Sequence, residues 1–157
     1  MRTSAAGRRA GLAAVLACAA VLATACTSAS PSKPGVLSAS MGGNAVALLK
    51  TARTALGTVL TNGAGYTLYW FTRDTPTTSG CGDICVSNWP PVTGTPRLAA
   101  GVRLAGTLGT IIRSGGTIQA TYNDHPLYTF AGDFEPGDVG GNGTSEFGGL
   151  WYAVNVG

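Results

Sequence analysis

The 157-residue chain holds one histidine, four cysteines and few charges, with Asp, Glu, Lys and Arg making up only 11% of it. Each scarcity excludes a class of chemistry. A single histidine and no second Cys or His pair leave a structural zinc site short of its four ligands. The same scarcity leaves any Ser-His-Asp arrangement only one candidate base, His125. No block of like charge is present, so nothing forms the basic stripe that nucleic acid requires. The longest apolar run, residues 10–25, offers about 16 residues where a membrane span needs about 20, and no charge closes its far end.

What is present at the N-terminus is an export signal. Arg2, Arg8 and Arg9 precede the apolar run, and small residues precede Cys26. The segment Leu22-Ala23-Thr24-Ala25-Cys26 resembles a bacterial lipobox, in which the cysteine is acylated and becomes the mature N-terminus. It departs from the usual pattern at Ala23, with its leucine one residue further back. The expectation is a lipoprotein signal over 1–25 and a lipid on Cys26, with ordinary secretion as the alternative. Cys18 would leave the apolar run too short to be the acceptor. Arg8-Arg9 keeps twin-arginine export open beside the general route. Residues 26–44 are rich in Ser, Ala, Pro and Gly and form a flexible tether. Removing Arg2, Arg8 and Arg9 from ten Lys and Arg leaves seven against seven Asp and Glu, so the exported part is near neutral.

Cysteine arithmetic follows. With Cys18 removed and Cys26 acylated, Cys81 and Cys85 remain in an oxidising compartment and should pair. Their three-residue spacing is not the two-residue spacing of a thioredoxin-like redox motif, and Val86 rather than His follows Cys85, which excludes c-type haem attachment.

Leu68-Tyr69-Trp70-Phe71-Thr72-Arg73-Asp74 returns as Leu127-Tyr128-Thr129-Phe130-Ala131-Gly132-Asp133, and Gly57-Thr58-Val59 lines up with Gly116-Thr117-Ile118 without a gap. Residues 45–157 therefore read as one domain of two repeats, about 45–97 and about 98–157, each expected to bury its apolar face against its twin. The texture is all-β: short antiparallel strands and hairpins separated by turns at Asn62-Gly63 and Asn123-Asp124, with a last strand at 150–154. Residues 46–56 also fit a helical period, but strand is favoured for their first half. Within each motif Tyr and Phe are two apart, so both point to one strand face and into the core, and the Asp falls at the strand's end.

The doubled Tyr-x-Phe-x-x-Asp, the cysteine pair followed by Trp89-Pro90-Pro91, and the closing Pro136-Gly137-Asp138 with Trp151-Tyr152 resemble the secreted-repeat lipoprotein family, bacterial proteins defined by a Tyr-x-aromatic-x-x-Asp motif. The resemblance implies an exported, lipid-anchored repeat protein without an established activity. It carries over no catalytic residue.

Three function classes remain. A hydrolase would use Asp74 and Asp133 as paired carboxylates, or His125 as a base; the competing roles are an Asp that fixes the turn after its strand and a solvent-exposed turn histidine. A calcium-like cation would draw on Asp133, Glu135, Asp138, Asn142 and Glu146, oxygen ligands in a Gly-rich loop, against a reading as solvated carboxylates; their spacing matches neither the EF-hand nor the nonapeptide calcium repeat. A binding or structural module would use exposed aromatics such as Trp70, Tyr122 or Trp151 on a glycan or protein partner, against burial of the same rings in the core. The favoured expectation is a non-catalytic module of the cell envelope, held to the membrane by its lipid, with no cofactor and no nucleic-acid partner.

Overall fold

A computed structural model describes residues 45–157. The signal 1–25, the lipid acceptor Cys26 and the tether 26–44 lie outside the described residues. The elements are β1 (Val46–Thr54), β2 (Gly57–Asn62), β3 (Tyr69–Phe71), α1 (Cys85–Asn88), β4 (Thr95–Leu98), β5 (Leu108–Ile112), β6 (Ile118–Tyr122), β7 (His125–Pro126), β8 (Ser145–Glu146) and β9 (Gly149–Ala153). They form three small sheets ordered β2-β1-β4, β3-β9-β8 and β5-β6-β7. The expected all-β class is what the chain adopts.

β1 resolves the ambiguous segment. Ala47 and Leu49 are buried while Val46, Leu48 and Lys50 are exposed, a period of two that a helix could not give. The strand pairs antiparallel with β2, Thr51 opposite Leu60, and parallel with β4, Val46 opposite Thr95. The Asn123-Asp124 turn joins β6 to β7 with both residues at positive φ, 48° and 62°, as a two-residue hairpin demands. The corresponding turn after β2 is longer and is closed by Asn62, whose Oδ1 accepts the N–H groups of Ala64 and Tyr66.

That difference corrects the gapless alignment. Leu68 donates its N–H to Leu60 in the first repeat and Leu127 donates to Ala120 in the second, so the strands before the two turns match only after a one-residue slip. The longer first turn absorbs the extra residue.

The repeats do not sit side by side as two closed pieces. They exchange short extended segments from their C-terminal parts. Val154, from the second repeat, accepts from Leu60 (2.8 Å) and donates to Leu68 (2.8 Å), both in the first. Val92, from the first, accepts from Ala120 (2.8 Å) and donates to Leu127 (2.9 Å), both in the second. At the centre Tyr69 and Tyr128 trade both backbone hydrogen bonds, 2.9 and 3.0 Å, forming a seam about which the two repeats are related. One core cluster gathers Ala47, Leu49, Leu60, Leu68, Ala120, Leu127 and Val154, the aliphatic faces of the two hairpins. The other gathers the motif aromatics with Trp89, Trp151 and the Cys81–Cys85 pair.

Candidate functional site

Strand alternation sends Tyr69 and Phe71 inward from β3, and Trp151 and Ala153 inward from β9. The inward rings form a continuous stack. Phe71 lies on Trp151 (4.1 Å, 10°), Trp151 on Trp89 (3.9 Å, 6°), and Trp89 on Phe130 (4.4 Å, 27°). Each Trp stacks on the other repeat's Phe and meets its own repeat's Tyr edge-on, Tyr69 to Trp89 at 5.4 Å and Tyr128 to Trp151 at 5.1 Å. Edge-to-face and offset contacts of this kind add to the area each ring buries. Gly141 packs against the side of the stack, where a Cβ would lie 2.8 Å from Trp89 and 2.9 Å from Tyr69.

The motif aspartates cross over in the same way. Tyr69 donates its hydroxyl to Asp133 at 2.6 Å, and Tyr128 donates to Asp74 at 3.1 Å. Each Asp also holds a loop backbone, Asp133 accepting from Gly140 (2.9 Å) and Asp74 from Gly80 (2.7 Å). The expected turn-fixing role is therefore half of what these residues do; the other half ties the repeats together. Burial raises the pKa of both acids against the hydrogen bonds they accept, Asp74 to about 6 with the Gly80 N–H, Tyr128 and Arg113 opposing. Burial likewise pushes the Tyr128 phenol up to about 12 and raises Tyr69. Arg113 braces the Asp74 side: it donates to Ser79 (2.8 Å), Gln119 (2.6 Å) and the Cys81 carbonyl, and Ser79 shares a hydrogen bond with the Tyr128 hydroxyl (2.7 Å).

The acidic loop is divided among separate tasks. Asp133 holds Tyr69, Asp138 accepts from the N–H groups of Phe134 and Glu135 (2.9 Å each), Asn142 accepts from Ala153 (3.0 Å), and Glu146 accepts from the Trp89 indole (2.8 Å). Glu135 is exposed. Among the described residues no three His, Cys, Asp or Glu side chains come together as a metal site. Cys81 and Cys85 form the expected disulfide, with Cα atoms 5.3 Å apart, buried against the aromatic cluster.

The three aromatics weighed between surface and core part company. Trp151 is fully buried in the stack, and Tyr122 is buried with its hydroxyl accepting from Gly106 (3.1 Å), so neither offers an exposed face. Trp70 does face outward, because it lies between two inward residues of β3. Opposite it on β9 stands Tyr152, its ring 5.3 Å away and tilted by 33°, and His125 of β7 also lies against Trp70, at 4.6 Å and 42°. His125 is exposed, as expected, but it packs on Trp70 rather than standing alone. Beside these rings is a cleft of about 190 Å³ lined by Trp70, Tyr122, Asn123, His125, Val154 and Asn155. Neither motif aspartate lines it, so Asp74 and Asp133 do not face a common substrate there. Tyr152 was missed in the sequence although Trp151 beside it, once placed in the core, forces it outward.

Residues 50–93 and 109–155 each match the model of a family described as a secreted repeat of unknown function. No curated protein and no solved structure matches the chain.

Proposed function

This chain belongs to the secreted-repeat family, and from that premise we propose that it is an exported, lipid-anchored module of the cell envelope that binds a ligand without transforming it. The observation that carries the reading is a division of labour among the polar and aromatic groups. The motif's Tyr and Asp side chains are all committed to partners inside the fold, while Trp70, Tyr152 and His125 gather on the outer face beside a cleft. No catalytic arrangement is needed to explain any of them. No helix among the described residues is long and apolar enough to cross a membrane, and the anchor assigned to Cys26 rests on the sequence around it.

Two measurements test the two halves of the reading. Cys26→Ser should move the protein from the membrane fraction to the soluble exported fraction; unchanged membrane retention removes the lipid anchor. The soluble Cys26→Ser protein should then sediment with isolated cell envelopes, and adding Trp70→Ala should weaken that retention at least about tenfold, or about 1.4 kcal/mol. A protein that never sediments with envelopes is not a binding module.

A further inference from the structure

We propose that the cleft beside Trp70 is a subsite for one pyranose ring of an uncharged glycan, an assignment that rests on the binding-module reading above. The first argument comes from the relation between the repeats. The residues equivalent to Trp70 and Tyr152 are Thr129 and Pro90, which occupy the same backbone positions on the other side of the seam: Trp70 pairs with Tyr152, and Thr129 donates to the Pro90 carbonyl at 2.9 Å. The inward positions carry Tyr, Phe, Asp and Trp in both repeats. The fold thus closes equally well with a Thr and a Pro where the other side has two aromatics. Trp70 rests on the aliphatic core cluster, yet it and Tyr152 each keep part of a ring open to solvent where the other side of the seam has only a Thr and a Pro, and that added aromatic surface is where a partner would sit.

The ring geometry separates this face from the core. Inside, Phe71, Trp151, Trp89 and Phe130 lie nearly flush, with interplanar angles of 6° to 27°. Outside, Tyr152 and His125 are tilted from Trp70 by 33° and 42° rather than lying flush with it, and of these three rings Trp70 and His125 line the cleft. A sugar offers such rings a C–H surface, which meets the negative face of an aromatic ring as a C–H edge does.

The lining chemistry selects the ligand's charge. Trp70, Tyr122, Asn123, His125, Val154 and Asn155 include no Asp or Glu to neutralise a cation and no Lys or Arg to draw an anion or a nucleotide. Hydrogen-bonding groups remain for hydroxyls. Asn123 is fixed by the N–H of Thr107 on its Oδ1 (2.9 Å), which leaves its Nδ2 to donate, and the exposed His125 ring adds a second hydrogen-bonding group to the lining. At about 190 Å³ the cleft is smaller than the roughly 300–1,000 Å³ of a typical small-molecule pocket, which limits it to a single ring with the rest of the glycan outside.

The test uses the soluble exported Cys26→Ser protein with maltotriose, mannotriose and tri-N-acetylchitotriose as uncharged probes and trigalacturonate as the charged one. Trp89 and Trp151 are fully buried, so indole emission that responds to a ligand in the cleft reports Trp70. At least one uncharged trisaccharide should change that emission saturably with Kd of about 1 mM or tighter, and trigalacturonate should not. By calorimetry the binding should vanish in Trp70→Ala, partly return in Trp70→Phe, and be unchanged in Thr129→Ala, with near-ultraviolet circular dichroism of the buried stack confirming that each variant is folded. Binding that survives Trp70→Ala, or preference for trigalacturonate, overturns the assignment. If no trisaccharide binds while sedimentation with envelopes still depends on Trp70, the glycan assignment falls and the binding module stands with another ligand; if sedimentation fails as well, both fall.

Discussion

On the inner side of the Tyr69–Tyr128 seam the two repeats are near copies: Tyr69 and Tyr128, Phe71 and Phe130, Asp74 and Asp133, Trp89 and Trp151 take equivalent places. On the outer side they diverge, Trp70 and Tyr152 against Thr129 and Pro90. The exchange of contacts explains the contrast. An inner residue of one repeat is the partner of an inner residue of the other, as Tyr69 is of Asp133 and Phe71 of Trp151, so each position has to satisfy both its own strand and its twin's. Outer residues carry no such matched requirement: Trp70 meets Tyr152 and His125 where Thr129 meets Pro90, so the two sides are free to differ and one of them to acquire a ligand.

The hardest way to break this comparison is to separate the repeats. A chain ending at residue 97 leaves Tyr69 without Asp133, Phe71 without Trp151, and Leu60 and Leu68 without Val154. It should show no cooperative thermal unfolding, and co-expression with residues 98–157 should restore the transition, because half of so small a domain cannot bury enough apolar surface alone. A cooperative melt of the first half by itself would show that the repeats are independent.

A smaller effect sharpens the inner–outer contrast. Trp89→Ala and Trp151→Ala should each cost about 3–5 kcal/mol in chemical denaturation, as deletion of a buried aromatic does. Trp70→Ala should cost about 1 kcal/mol or less. A comparable loss at Trp70 would make it a packing residue and remove the basis for a ligand there.

The smallest effect probes the crossed aspartates through pH. Asp74 has a folded-state pKa of about 6 against an ordinary 3.8, so the folded protein holds a proton that the unfolded chain has released. Stability from this group is full below about pH 4, falls as pH rises through the window from about 4 to 6, and is level above it. Asp133 is shifted in the same direction by its own burial and adds to the slope. The melting temperature should therefore decline between pH 4 and 6, and Asp74→Asn should flatten part of that decline. A melting temperature that climbs across the window would mean the acids are held ionised, with hydrogen bonds and Arg113 outweighing burial.

Much of the fold could be read from local pattern. Asn123-Asp124 announces a tight hairpin and the spacing of Tyr69 and Phe71 places both in the core, whereas Val46 to Leu49 is apolar throughout and shows its alternation only in the burial of Ala47 and Leu49. The one-residue slip between the repeats was hidden, because it depends on the length of the Asn62 turn and not on the strands either side. The acidic loop looked like a run of free oxygen ligands, yet Asp138 closes its own turn through the N–H groups of Phe134 and Glu135, while Asn142 and Glu146 accept from Ala153 and from the Trp89 indole, donors that lie close only after folding. Trp70, Tyr122 and Trp151 were alike as exposed candidates until their strands had been paired.

The sequence by itself determined the all-β class, the cysteine pair, the near-neutral charge beyond the signal and the side of its strand on which each motif residue falls. Those are local properties: backbone alternation fixes the direction of a side chain within two or three residues, and two cysteines left over in an oxidising compartment have only each other. Tertiary structure alone decided whom each inward residue meets. Because the two repeats present the same Tyr, Phe, Asp and Trp, a contact within a repeat and a contact across it look identical in sequence; the exchange of Val92 and Val154 between the hairpins selects the crossed set, and by turning Trp151 inward it leaves Trp70 and Tyr152 together on the face that remains open.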